Sequence, residues 1–71
     1  MTDNFDKNLG AELRRQRELK HLTQLEVANF CGVTKMNVSY WESGRNAMYA
    51  WQLKKYCEFI GVPVSEILER T

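Results

Sequence analysis

Apolar residues recur along this chain three and four positions apart, in short bursts separated by glycine, histidine or proline. That is the spacing of helices with one buried face. The densest information lies between Thr23 and Gly44. Thr23 and Glu26 form a T-x-x-E capping box, so a helix is expected to begin at Gln24 with its first amides satisfied. Val27, Ala28 and Cys31 then make one narrow apolar stripe. Gly32 can take a positive φ without strain, which lets that helix stop sharply. Thr34 is a suitable N-cap for a second helix, whose Val38 and Trp41 face the first, and Gly44 is its stop. Two helices joined this tightly approach closely, and Ala28 is small where a bulky side chain would force them apart. An ordinary helical hairpin would explain Gly32 and the stripe. It would not explain the polar outer face of the second helix.

At about 100° per residue, with Thr34 at zero, Val38 falls near 40° and Trp41 near 340°. Lys35, Met36, Ser39 and Tyr40 fall on the opposite side, at roughly 100° to 240°. All four can touch a base edge of duplex DNA. Lysine donates to guanine O6 and N7, a methionine or tyrosine ring packs on a thymine methyl, and a hydroxyl pairs with either strand. Asn37, near 300° by the same rule, sits on the flank, where a backbone contact is expected.

Outside this stretch a first helix is expected from about Asp6 to Lys20, with Leu9 and Leu13 inward. A fourth runs from near Ala47 to just before Gly61, with Ala50, Leu53, Cys57 and Ile60 on its inner face. Pro63 suits the first turn of a short fifth helix carrying Val64, Ile67 and Leu68. Residues 1–5 read as a frayed or arm-like start. No strand, repeat, low-complexity run or linker is evident, so residues 1–71 are expected to form one all-α domain.

Residues 9 to 68 resemble the phage repressor and Cro (Xre-type) helix-turn-helix family. The shared frame is Leu9, Leu13 and Arg17, then Leu22-Thr23-Gln24, Val27-Ala28, Gly32-Val33-Thr34, Val38, Trp41-Glu42, Gly44 and Ile60-Gly61-Val62. The resemblance implies a compact five-helix bundle that binds duplex DNA as a dimer, with its third helix in the major groove. It puts Gln24 on a phosphate, bracing the base-reading side chains Lys35, Met36 and Tyr40. Ser39 joins that reading face. Thr34, Asn37 and Ser43 would hold phosphates, while Arg45 and Asn46 would reach the backbone and a further base. Arg17 and Glu42 match positions that form a partly buried ion pair between the first and third helices. Three positions depart from the family pattern: Gln16 stands where an apolar residue is common, His21 where glycine is frequent, and Ala47 where proline often opens the fourth helix. His21 is expected to end the first helix by entering the left-handed region.

Seventy-one residues allow one domain and a small core. No apolar run approaches the length of a membrane span and no signal-peptide pattern opens the chain, so a cytoplasmic location is expected. Cys31 and Cys57 fall on apolar faces and read as reduced core residues rather than a disulfide or metal site. One histidine and no clustered nucleophile, base and acid argue against an enzyme, and neither a metal nor a cofactor is called for.

The charge balance complicates the picture. Ten basic against nine acidic residues give +1, well short of the excess expected of a strong DNA binder. With Arg17 occupied by Glu42, the candidate donors are Arg14, Arg15, Lys20, Lys35 and Arg45. Few ionic phosphate contacts and a shallow salt dependence are expected, with neutral donors and helix N-termini carrying part of the backbone grip. Large apolar residues also exceed what the core needs: Leu25 and Phe30 lie off their stripe, and Tyr49, Trp51, Tyr56 and Phe59 crowd the fourth helix. Phe59, Val64, Ile67 and Leu68 are candidates for a dimer seam. Such a dimer would set its reading helices about 34 Å apart on a near-palindromic operator. The expected function is a homodimeric repressor or Cro-like switch, of phage or bacterial type, that occludes a promoter or touches RNA polymerase from a site just upstream. The alternative is a protein-interaction module on the same fold that does not read DNA; low charge and exposed apolar residues motivate it.

Overall fold

The helix boundaries follow from side chains that satisfy the first and last backbone groups. In the computed structural model, which describes residues 4–71, the Thr23 hydroxyl accepts the Glu26 amide at 3.1 Å. The Glu26 carboxylate in turn accepts the Thr23 amide at 2.8 Å. Helix α2 (Gln24–Cys31) therefore starts with the Thr23 and Glu26 amides reciprocally bonded, and it stops at Gly32, whose φ is 74°. The Thr34 hydroxyl accepts the Asn37 amide at 3.1 Å and opens α3 (Lys35–Ser43), which ends at Gly44. Helix α1 (Phe5–Leu19) precedes them. It is followed by His21 at φ 58°, the one non-glycine residue among those described with positive φ. Of the stretch expected to be arm-like, Phe5 already belongs to α1, and residues 1–3 lie outside the described residues.

Helix α4 (Ala50–Ile60) begins at Ala50 rather than near Ala47. The amides of Arg45 and Asn46 bond back to the Tyr40 carbonyl at 2.9 and 3.3 Å, turning the chain away after α3. The Gln52 side chain then accepts the Tyr49 amide at 2.9 Å, which fixes the helix start there. Ala50, expected on the inner face, is exposed as a result. Pro63 leads into α5 (Val64–Glu69).

Helix α1 lies across α3, α2 packs on both α3 and α4, and α5 closes the domain over α1 and α4. The shared core includes Leu13, Val27, Val38, Tyr56 and Ile67, all fully buried. Trp41 is 4% exposed, and its ring centroid lies 6.5 Å from that of Tyr56. The α1–α3 crossing depends on a residue without a side chain. A Cβ on Gly10 would stand 2.1 Å from the Trp41 carbonyl oxygen and 2.7 Å from that of Glu42. The two backbones therefore meet directly, and α1 fixes the angle at which α3 is presented. Gln16 is buried where an apolar residue was the norm, and its amide donates to Glu12 at 2.9 Å, so the polar group is not stranded.

The large apolar residues divide between core and surface. Tyr56 is core. Phe30 of α2 and Phe59 of α4 stack with centroids 5.0 Å apart, and the Lys55 ammonium lies 5.2 Å from the Phe30 ring centre. Ile67 is fully buried within the single chain, so it is not available to a dimer seam. It is the inward anchor of so short a helix as α5. Phe59 and Val64 are half-buried against the core, while Leu68 is 42% exposed. No helix among the described residues is long and apolar enough to cross a membrane.

Candidate nucleic-acid interface

Helix α3 has two unlike faces. Val38, Trp41 and Glu42 are buried on one side. On the other, Lys35 and Met36 are exposed, and Ser39 and Tyr40 are partly so. With Gln24 from the start of α2, these four side chains line a shallow open cleft. A second open cleft brings Lys35 together with Arg14, Arg17, Thr23, Gln24 and Leu25. The outward set and the flank position of Asn37, which is half-buried, agree with the 3.6-residue geometry.

Behind the exposed face a single carboxylate gathers donors from three other helices. Glu42 accepts two bonds from the Arg17 guanidinium, at 2.7 and 3.0 Å, and one from the Gln24 amide at 3.0 Å. The Tyr56 hydroxyl donates a further, short bond. Arg17 uses a remaining N–H on the Leu22 carbonyl at 2.7 Å, which ties the α1–α2 link to the same node. Burial alone would push the Glu42 carboxyl up. The bonds from Arg17, Tyr56 and Gln24 together outweigh it and hold the carboxyl below the usual carboxylate range. The Arg17 pKa is raised, chiefly by its bonds to Glu42. Burial, and then the bond to Glu42, drives the Tyr56 phenol far above its ordinary value.

The Arg17–Glu42 pair thus sits among partners that the sequence did not reveal. By sequence alone Tyr56 is one of several aromatics in excess of what the core needs. The usable signal was its place beside Cys57 on the inner stripe of α4. A buried phenol must find an acceptor, and Glu42 is the one in reach. Gln24 spends one amide N–H on Glu42 and keeps the other, with its carbonyl oxygen, for the cleft.

At the far end of α3 the Tyr40 carbonyl collects the Arg45 and Asn46 amides and the Ser43 hydroxyl, the last at 3.2 Å. Ser43 therefore directs its hydroxyl proton inward, and only its lone pairs face out. The Arg45 guanidinium lies 4.6 Å from the centre of the Tyr40 ring. Asn46 is exposed and shares a further open cleft with Asn37, Met48 and Gln52.

The cations divide sharply. Arg14 pairs with Glu18 at 3.2 Å, Arg15 with Glu12 at 2.8 Å, and Lys20 donates to the Ile60 carbonyl at the end of α4. Lys20 is thus spent on capping a helix, contrary to its place among the candidate donors. Among the described residues Lys35 and Arg45 have no acidic partner within ion-pair distance. Both lie at the exposed face of α3. Cys31 and Cys57 are buried free thiols, and burial raises both, Cys57 to about 11.

Comparison with known proteins agrees with this geometry. A model described as a helix-turn-helix domain matches residues 8–69. The clp gene regulator ClgR of Corynebacterium glutamicum is 29% identical, with a TM-score of 0.90 over 97% of this chain and 90% of that one. The DNA-binding domain of BldD is 31% identical, with a TM-score of 0.80 over 96% of this chain and 99% of that one. The restriction-modification controller protein C.AhdI of Aeromonas hydrophila, at 23% identity and a TM-score of 0.81, shares the fold across 86% of this chain and 92% of its own. No curated protein matches the chain by sequence.

Proposed function

The chain belongs to the helix-turn-helix family of phage-repressor (Xre) type, and on that footing we propose that it is a sequence-specific regulator of transcription that lays α3 in the major groove of duplex DNA. The observation that carries this reading is the outer face of α3. Lys35, Met36, Ser39 and Tyr40 stand clear of the core, on a helix whose inner face is locked by Glu42. Side chains that folding does not use, held on a rigid support, are what base recognition requires.

In this reading Lys35, Met36, Ser39, Tyr40 and Asn46 meet base edges. Gln24, Thr34, Asn37 and Arg45 meet phosphates, and Ser43 joins them by turning its hydroxyl proton away from the Tyr40 carbonyl that it bonds in the free protein. Thr34 already accepts the Asn37 amide, which leaves its hydroxyl proton free to donate to a phosphate oxygen. Two copies related by a two-fold axis would read a near-palindromic operator. Leu68, with the outer edges of Phe59 and Val64, is the apolar surface offered to the second copy. Repression by promoter occlusion follows directly from such binding, and contact with polymerase from a neighbouring site is open to the same complex.

Selection of bound duplexes from a random pool tests this. An enriched motif with two-fold symmetry, and at least tenfold weaker binding by Lys35→Ala, is the expected outcome. A pool that stays random, with binding indifferent to Lys35→Ala, would leave only an interaction module. Sedimentation at micromolar concentration tests the dimer, with Leu68→Asp expected to shift it to monomer.

A further inference from the structure

We propose that the cleft between Met36 and Tyr40 receives the 5-methyl group of a thymine, so that each half-site contains one thymine recognised by its methyl rather than by hydrogen bonds. The inference rests on α3 lying in the major groove, where that methyl projects from the base edge. Met36 and Tyr40 are four residues apart on one helix and therefore neighbours on its surface. They border the same open cleft as Gln24, Lys35 and Ser39. Met36 is 61% exposed, a flexible thioether in water on a face the core does not need. Such a side chain adapts its shape to a small apolar group, and the Tyr40 ring supplies a flat second wall.

The cleft is placed for DNA by charge as well as shape. Lys35, without an acidic partner among the described residues, lines it, and Arg45, likewise without one, lies against the Tyr40 ring that forms its wall. The cleft is also preorganised. The Arg45 guanidinium over the Tyr40 ring, and the amides of Arg45 and Asn46 on the Tyr40 carbonyl, fix that wall from two directions. Arg45 is thus a positioning residue for Tyr40, in addition to any phosphate it touches.

Deoxyuridine presents the same hydrogen-bonding groups as thymidine and lacks only the methyl, so it isolates the contact. With an operator selected from a random pool, each thymine is replaced in turn and affinity is measured by mobility shift. One position per half-site is expected to lose about fourfold, the worth of burying one methyl-sized apolar group. Met36→Ala should bring the thymine-to-uracil ratio at that position close to one, as should Tyr40→Ala. Met36 lies outside the core, so its variant answers the question even if Tyr40→Ala folds poorly. Arg45→Ala should lower affinity everywhere and also reduce the ratio, which loss of a phosphate contact alone would not do. If a motif is enriched but no thymine responds, the methyl cleft is refuted while the DNA-reading function stands. If no motif is enriched, both fall.

Discussion

A carboxylate that receives four hydrogen bonds on two oxygens resists protonation, and Glu42 couples that resistance to the fold. Its folded value lies below the unfolded value of 4.5. Its contribution to stability is therefore complete above pH 4.5 and is lost as the pH falls through the folded value. Both members of the ion pair are shielded, with Glu42 and Arg17 side chains 3% and 8% exposed. Removing the charge strands Arg17, at a cost of about 3 kcal/mol or more. Glu42→Gln should thus lower the thermal midpoint by about 10 °C or more and flatten the acid limb of the stability curve. Glu18→Gln, which loses an exposed pair with Arg14 and a long 3.9 Å contact with Arg17, should change little; equal effects from the two would contradict the buried node. Arg17 and Glu42 were legible only through the family frame, because nothing in their sequence separation of 25 residues announces a contact. Tyr56 was hidden because a periodic pattern separates inside from outside but does not say which buried atom bonds to which.

Helices were legible where their ends are chemical. The capping box at Thr23, the N-cap at Thr34 and the stops at Gly32 and Gly44 all lie where those residue types direct. The start of α4 was not, because it depends on the Tyr40 carbonyl capturing two amides from the following loop, a contact between segments rather than a local preference. The α1–α3 crossing was equally silent, since a glycine inside a helix carries no apolar signal. Gly10→Ala should therefore destabilise, although alanine is the better helix former by about 1 kcal/mol. The Trp41 and Glu42 carbonyls occupy the space the methyl needs, and overpacking of this kind costs about 1–3 kcal/mol. Urea denaturation should give a net loss for Gly10→Ala, and a gain would show that the helices can separate without penalty.

Across the whole molecule, charge is spent on folding before it is offered to a ligand. Of the five cations considered as donors, Arg14, Arg15 and Lys20 are engaged within the domain, and Lys35 and Arg45 remain at the exposed face. On the proposed function, helix N-termini and the neutral groups of Gln24, Thr34 and Asn37 then supply much of the grip on phosphate. On a specific duplex the slope of log affinity against log salt should be shallow, about −4 for two copies each releasing ions at two cations. A slope near −10 would contradict a grip that rests on Lys35 and Arg45 alone. The five-helix architecture could be anticipated because each helix has its own stripe. The division of the cations could not, since it depends on which neighbour lies within reach after folding.

The burial of Trp41 has an optical consequence. Its indole lies behind the exposed face of α3, against Tyr56 and beside the carbonyl that meets Gly10, whereas Trp51 is 53% exposed. Trp51→Phe would leave one tryptophan, on the inner side of the helix proposed to face DNA. Its emission would then gauge how firmly that helix is seated, in free protein, in Gly10→Ala and in acid, without any label attached to the reading face.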